Sequence, residues 1–253
     1  MPKERLETNT SEIEPVSERQ KLGWGPFSAL VLTTLAYLFS QLVLVLPLVV
    51  VLLFRPGQDI QTVLDNSPIL NFILSALSAL TIILVLGVFL RHKKLKLRDL
   101  GFKKFKKSDF GWLVIGVAVY FVLLAVALAL ANHIPGFDAN QSQNIGYQGV
   151  SGWQLALAFV GLVVLPPLAE EMLFRGFLYR GLASRWPRIV AALVASGLFA
   201  AVHFQWNVSL DVFVLSLVLI AMYERTKNLW VCIGLHAIKN GIAFLALFVF
   251  VSR

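Results

Sequence analysis

Glu170 and Glu171 stand side by side, with Arg175 four residues on, inside an apolar stretch from Trp153 to Leu182 that is long enough to cross a membrane. Charge at that depth is expensive and generally tied to function. Later apolar stretches carry His203 and then His236 with Asn240, the other polar groups able to meet the glutamates. Carboxylates, imidazoles and an amide together suit acid and base chemistry on a water molecule. A carboxylate held away from bulk water beside an imidazole can take a proton from water, which makes Glu170 with His203 the candidate water activators. Attack of that water on a carbonyl develops an oxyanion, and His236 and Asn240 can supply the donors it needs. Ser196 and Ser209 lack an obvious base on their own helix, and Cys232, four residues from His236, has no other support, so water is the simpler nucleophile.

Helical spacing sorts these groups into faces. Glu171 and Arg175, four apart, stack on one side and can pair, while Glu170 is rotated about 100° away and is freer for chemistry. His236 and Asn240 share a face by the same rule. Pro166 and Pro167 remove two backbone donors just before the glutamates and are expected to interrupt the helix there. Such a break is tolerable at membrane depth only where protein or water lines it.

The elements that must position these residues are transmembrane helices. Of 253 residues, 58% are hydrophobic and 14% charged. Runs of about 20 apolar residues match a hydrocarbon core of about 30 Å, and they are too long for barrel strands. The expected class is all-α: a multi-spanning bundle of about seven helices, or eight if the prolines split one, with a conical intramembrane cavity formed by the C-terminal helices. Spans are expected at Phe27 to Phe54, Pro68 to Leu90, Gly111 to Ala131, Trp153 to Leu182, Ile189 to Gln205, Val208 to Tyr223 and Leu229 to Val251. Residues 1–26 read as a flexible cytoplasmic tail and 27–253 as one membrane domain, with the catalytic helices within 153–253. The single cysteine, Cys232, excludes an intramolecular disulfide and any multi-cysteine metal site.

Positive charge sets the orientation. With the amino terminus inside, four Lys or Arg lie in the tail, nine between Arg91 and Lys107, three at Arg180, Arg185 and Arg188, and two at Arg225 and Lys227; only Arg55 and Arg253 fall outside. The carboxyl terminus is then external. All six tryptophans fall near span ends, where an amphipathic ring is favoured. The basic loop 91–107, set between two spans, reads as a juxtamembrane segment facing anionic lipid and not as a nucleic-acid site. Counted inward from the cytoplasmic ends, Glu170, His203, His236 and Asn240 lie at depths of roughly 15, 21, 10 and 16 Å, which brings three helices to a common level. Lys239 is the oddity: it is expected to snorkel to the interface, or else to pair with Asp211 or Glu171. Asp211, with Asn207 or Ser209 as a cap, reads as a first-turn acid of its helix.

At these positions the chain resembles the CAAX prenyl protease and bacteriocin-processing family of membrane proteins, also called Abi. The motifs are Glu170-Glu171-Met172-Leu173-Phe174-Arg175, Phe199-Ala200-Ala201-Val202-His203 and His236-Ala237-Ile238-Lys239-Asn240, in order on successive hydrophobic helices. The resemblance covers about the last 100 residues, from Trp153 onward. It implies an intramembrane endopeptidase of the plasma membrane that uses glutamate-activated water and no cofactor or metal. Glu170 and His203 would activate water, His236 and Asn240 would hold the oxyanion, and Glu171, Arg175 and Phe199 would support them. The substrate would be a peptide or membrane protein. Two other readings are a zinc protease with Glu170, His203 and His236 as ligands, and a non-enzymatic scaffold or proton-coupled carrier.

Overall fold

In a computed structural model, the chain is described over residues 22–54, 57, 59–139, 141, 147 and 150–250. Residues 1–21, Arg55 and Arg253, on which part of the tail and charge reading rests, lie outside the described residues. Among the described residues eight helices follow one another: α1 Pro26–Phe54, α2 Ile60–Asp65, α3 Pro68–His92, α4 Lys107–Ala131, α5 Trp153–Ala183, α6 Arg188–Ala201, α7 Trp206–Thr226 and α8 Leu229–Phe248. All but α2 and α6 are long and apolar enough to cross a membrane. The chain is an integral membrane protein.

Their ends follow local chemistry. Proline opens α1 and α3 at the first helical position, where its missing donor costs nothing. Asp59 caps α2 by accepting from the Thr62 amide at 3.1 Å. In α4, Asp109 reaches back to the Lys106 amide at 2.9 Å and also accepts from the Asn228 side chain at 2.9 Å. Lys227, in the left-handed region at φ 51°, stops α7, and Asn228 caps α8. Gly101 ends the short turn Leu97–Leu100 at φ 103°, where a Cβ would also strike the Tyr223 ring. The basic loop is thereby sewn to the α7–α8 turn, and its Lys and Arg side chains all face outward.

Centrally placed, α5 packs against α1, α3, α6, α7 and α8, while α4 lies outside on α7 and α8. Leu173, Phe177, Leu178 and Leu182 of α5 are fully buried. Trp24, just before α1, is buried too, stacked on Phe177 with its indole nitrogen donating to the Phe177 carbonyl at 2.9 Å. The last residues of the expected tail therefore belong to the folded domain.

Three expectations about the helices change. The expected fifth span ends at Ala201, so that α6 has 14 residues, about 21 Å of helix, and His203 sits on the turn beyond it. The prolines do not split α5. Its turns widen instead, so that the Leu165 amide bonds back to the Val160 carbonyl, five residues away. Finally, α2 is an eighth helix that the hydropathy pattern did not mark, because six residues carry too little periodicity.

Candidate active site

The widened turn leaves two carbonyls without a helical donor. Leu162 faces Pro166 and Pro167, neither of which has an N–H, and the Leu165 amide that Gly161 would ordinarily receive has gone to Val160. Buried carbonyls must find partners. Ser75 of α3 donates to Gly161 at 2.6 Å, and the Asn240 amide of α8 donates to Leu162 at 3.0 Å. These two side chains hold the segment just ahead of the glutamates.

Beyond the break, Glu171 is fully buried and Glu170 is not. One Glu171 oxygen accepts from Arg175 Nη1 at 2.9 Å and from His236 Nδ1 at 2.8 Å. Arg175 is itself fully buried, and its guanidinium lies over the Phe199 ring, 4.4 Å from the centroid. The same ring meets His203 and His236 edge-on, at centroid separations of 5.2 and 6.1 Å. Phe199 is thus the apolar hub of the cluster. Glu170, whose side chain is 26% exposed, has its Oε2 3.9 Å from His236 Nε2.

His203 is positioned by the end of α6. The last carbonyls of a helix lack helical donors, and here side chains satisfy them. His203 Nδ1 lies 2.8 Å from the Phe199 carbonyl, Ser209 donates to Ala200 at 3.0 Å, and Tyr37 of α1 donates to Val202 at 2.9 Å. Because a carbonyl only accepts, Nδ1 carries the hydrogen, which in the neutral ring leaves the lone pair on Nε2. Phe204, at φ 54°, turns the chain through the left-handed region immediately afterward, a costly conformation for a bulky residue that tends to accompany functional sites.

Glu170 and His203 line one cavity of about 150 Å³ with Phe174, Phe199 and Val202. Its other wall comes from the first half of the chain, with Tyr37 and Gln41 on α1 and Ser78 and Ile82 on α3. The cavity expected from the C-terminal helices is thus walled by α1 and α3 as well. Nothing in the residue types of α1 and α3 marked this beforehand except isolated polar side chains in apolar runs.

The structure thus brings Glu170, Glu171, Arg175, Phe199, His203 and His236 together, with Asn240 adjoining through the Leu162 carbonyl. Lys239 does not snorkel. Its amine pairs with Asp211 at 2.8 Å, while Tyr120 donates to the other Asp211 oxygen at 2.6 Å. Asp211 therefore joins α4, α7 and α8 and is no first-turn acid; α7 begins at Trp206. Cys232 is buried, with its thiol directed at the Leu219 carbonyl. For the zinc reading, no three His, Cys, Asp or Glu side chains among the described residues are grouped so as to hold a metal ion.

Comparison with known proteins covers the same region. Residues 151–242 match the family model of type II CAAX prenyl endopeptidase Rce1-like. The chain is also similar to the membrane-embedded CAAX protease MroQ of Staphylococcus aureus (strain USA300), with 27% identity over 224 residues, which cover 86% of this chain and 88% of that one. No solved structure matches.

Proposed function

From the premise that the chain belongs to the CAAX prenyl protease and bacteriocin-processing family of membrane endopeptidases, we propose that it cleaves peptide bonds with water activated by Glu170 and His203. It is a membrane protease acting on a peptide or membrane-protein substrate. The observation that carries the finer reading is the division of labour between adjacent carboxylates. Glu171 is closed in by Arg175 and His236, while Glu170 shares an open cavity with the free Nε2 of His203.

Water in that cavity gives a proton to Glu170, assisted by His203, as its oxygen bonds to the carbonyl carbon of the substrate. The proton then passes to the departing nitrogen as the C–N bond breaks, which leaves a carboxyl and an amine product. His236 supports the oxyanion. Its Nδ1 hydrogen is committed to Glu171, so Nε2 donates only when the ring carries both protons. Asn240 has one amide hydrogen on Leu162 and a second available to the reacting oxygen. An amide anchored in this way is preorganised, as a transition-state donor needs to be.

The cytoplasmic side is assigned to the nine exposed basic residues of 91–107, which suit anionic lipid headgroups. The amino terminus then lies in the cytoplasm of a cell whose plasma membrane holds the protein; α8 starts on that same side, where the Leu229 amide donates to the Gly101 carbonyl at 2.9 Å, so the carboxyl terminus lies outside and α6 with the turn after it makes a short seventh crossing. The test of the chemistry is to profile peptide products of purified wild-type protein beside Glu170→Gln and His203→Ala. Each substitution is expected to lower the rate by about a hundredfold or more, the usual contribution of a positioned acid or base. Identical product sets at equal rates from all three would favour a scaffold and sink the catalytic reading.

A further inference from the structure

Glu170 also borders a second cavity. A second lobe of about 180 Å³ lies on the other side of the carboxylate, between Leu44 of α1, Leu74 and Ser75 of α3, and Pro166 and Ala169 of α5. Ser78, Ile82 and Glu170 border both lobes. The reacting carboxylate therefore stands at the middle of a cleft with room to each side.

The far wall of that cleft carries polar groups that neither fold nor chemistry has used. Gln41 is fifteen residues past Pro26 in a helix of 29, close to its centre. An amide there is costly if it faces lipid, and tolerable if it faces water or another polar chain. Among the described residues its one side-chain hydrogen bond is a long 3.4 Å approach to Ser40, which leaves the side-chain carbonyl and most of the donor capacity for another partner. Ser78 sits ten residues past Pro68 in a helix of 25, again near the middle. Thr81 bonds back to its own helix at Leu77 and Ser75 is taken by Gly161. The Ser78 hydroxyl has no such partner among the described residues. Tyr37, one turn before Gln41, is tied to the Val202 carbonyl, which fixes this wall against the turn that bears His203.

Resting on the assignment of Glu170 as water activator, we propose that α1 and α3 form the substrate-binding wall of the protease. Gln41 and Ser78 hydrogen-bond the backbone of an extended peptide laid across Glu170, and the lobe between Leu44, Leu74 and Pro166 receives an aliphatic side chain next to the scissile bond. An extended segment entering a membrane cavity arrives with unpaired amides and carbonyls, each of which must be satisfied there. Gln41 can both donate and accept, which matches a peptide unit, and Ser78 can do the same. The apolar lobe then discriminates by size, since it offers no polar group besides the committed Ser75 and the shared Ser78 and Glu170.

The experiment uses full-length protein in detergent micelles and a pool of internally quenched peptides, whose cut sites are read by mass spectrometry. On the best-cleaved member, Gln41→Leu is expected to raise KM about tenfold and Ser78→Ala about threefold, with kcat nearly unchanged, as for loss of interactions equal in ground and transition states. Gln41→Leu makes α1 more compatible with lipid, so a fold defect would not mimic this result, and melting of each variant checks the point. Leu44→Phe, which shrinks the apolar lobe, is expected to move the cut-site profile toward smaller residues on one side of the bond. Either an unchanged KM in both polar variants or an unchanged profile in Leu44→Phe overturns the binding assignment. Glu170→Gln, run alongside, separates that outcome from failure of the catalytic reading, because it is silent if Glu170 is the base whether or not Gln41 binds peptide.

Discussion

Replacing Glu171 by leucine tests the buried cluster where its energy is most concentrated. The substitution removes the acceptor of two hydrogen bonds, from Arg175 at 2.9 Å and from His236 at 2.8 Å. It leaves the Arg175 guanidinium fully buried, with the Phe199 ring as its remaining support. Stranding one partner of a buried pair costs about 3–5 kcal/mol, more than the roughly 0.5–2 kcal/mol that a ring face returns and already supplies in the wild type. For a chain of this size each kcal/mol moves the melting temperature by about 2–4 °C, so a fall of roughly 6–20 °C is expected. Adding Arg175→Met removes the stranded charge as well, and the double variant should recover most of the loss, since apolar replacement of a whole pair is often neutral. Activity should not recover, because His236 still lacks the carboxylate that holds its Nδ1 hydrogen. The lone cysteine makes the assay simple: Cys232 is completely buried, so a fluorogenic maleimide reports unfolding without a label. A double variant that regains wild-type cleavage would refute the positioning of His236 by Glu171. Melting of Glu171→Leu within about 2 °C of wild type would refute the energetics.

The proline break offers a second contrast. Ser75→Ala should cost about 1–3 kcal/mol by orphaning the Gly161 carbonyl, with kcat within severalfold of wild type once folded; Asn240→Ala should cost a similar amount and also lower kcat by about a hundredfold, as read by melting and turnover together. At the Lys239–Asp211 pair, Lys239→Met alone should destabilise by about 3–5 kcal/mol, and Lys239→Met with Asp211→Leu should restore much of it. Equal melting of the single and double variants would remove the pair from the stability of the α7–α8 contact.

Class, helix order and the polar constellation were legible because lipid penalises every other arrangement of so many apolar residues and every idle charge. The four-residue spacing placed Glu171 on Arg175 correctly, since a helix fixes which residues share a face. Spacing along single helices says little about which helix supplies the third partner, and so the bond from His236 to Glu171 was not foreseen. His236 and Asn240 share a face by spacing, but the Asn240 amide turns to α5. Lys239 takes the second of its two expected places, the pair with Asp211: snorkelling needs only its own stem, while pairing needs Asp211 and Tyr120 to arrive from two other helices. In α6 the apolar run continues through Val202, and only the turn geometry around Phe204 shows that the helix has already ended.

The first half of the chain was the least legible, although it builds half the cleft. A membrane-facing helix is apolar on all sides, so the face turned inward leaves no hydrophobic periodicity to read. What remains is the exception, a serine, glutamine or tyrosine in an otherwise oily run. Each such residue here has a backbone reason or an open one. Ser75 answers the Gly161 carbonyl that the Leu165 amide has left for Val160, and Tyr37 answers the end of α6 at Val202. Asn240 does the same for Leu162 from the third motif. Counting donors lost to proline and to helix ends therefore predicts which distant polar side chains must converge, and of the polar side chains that line the cleft from α1 and α3, Gln41 and Ser78 are the pair left over for a substrate to use.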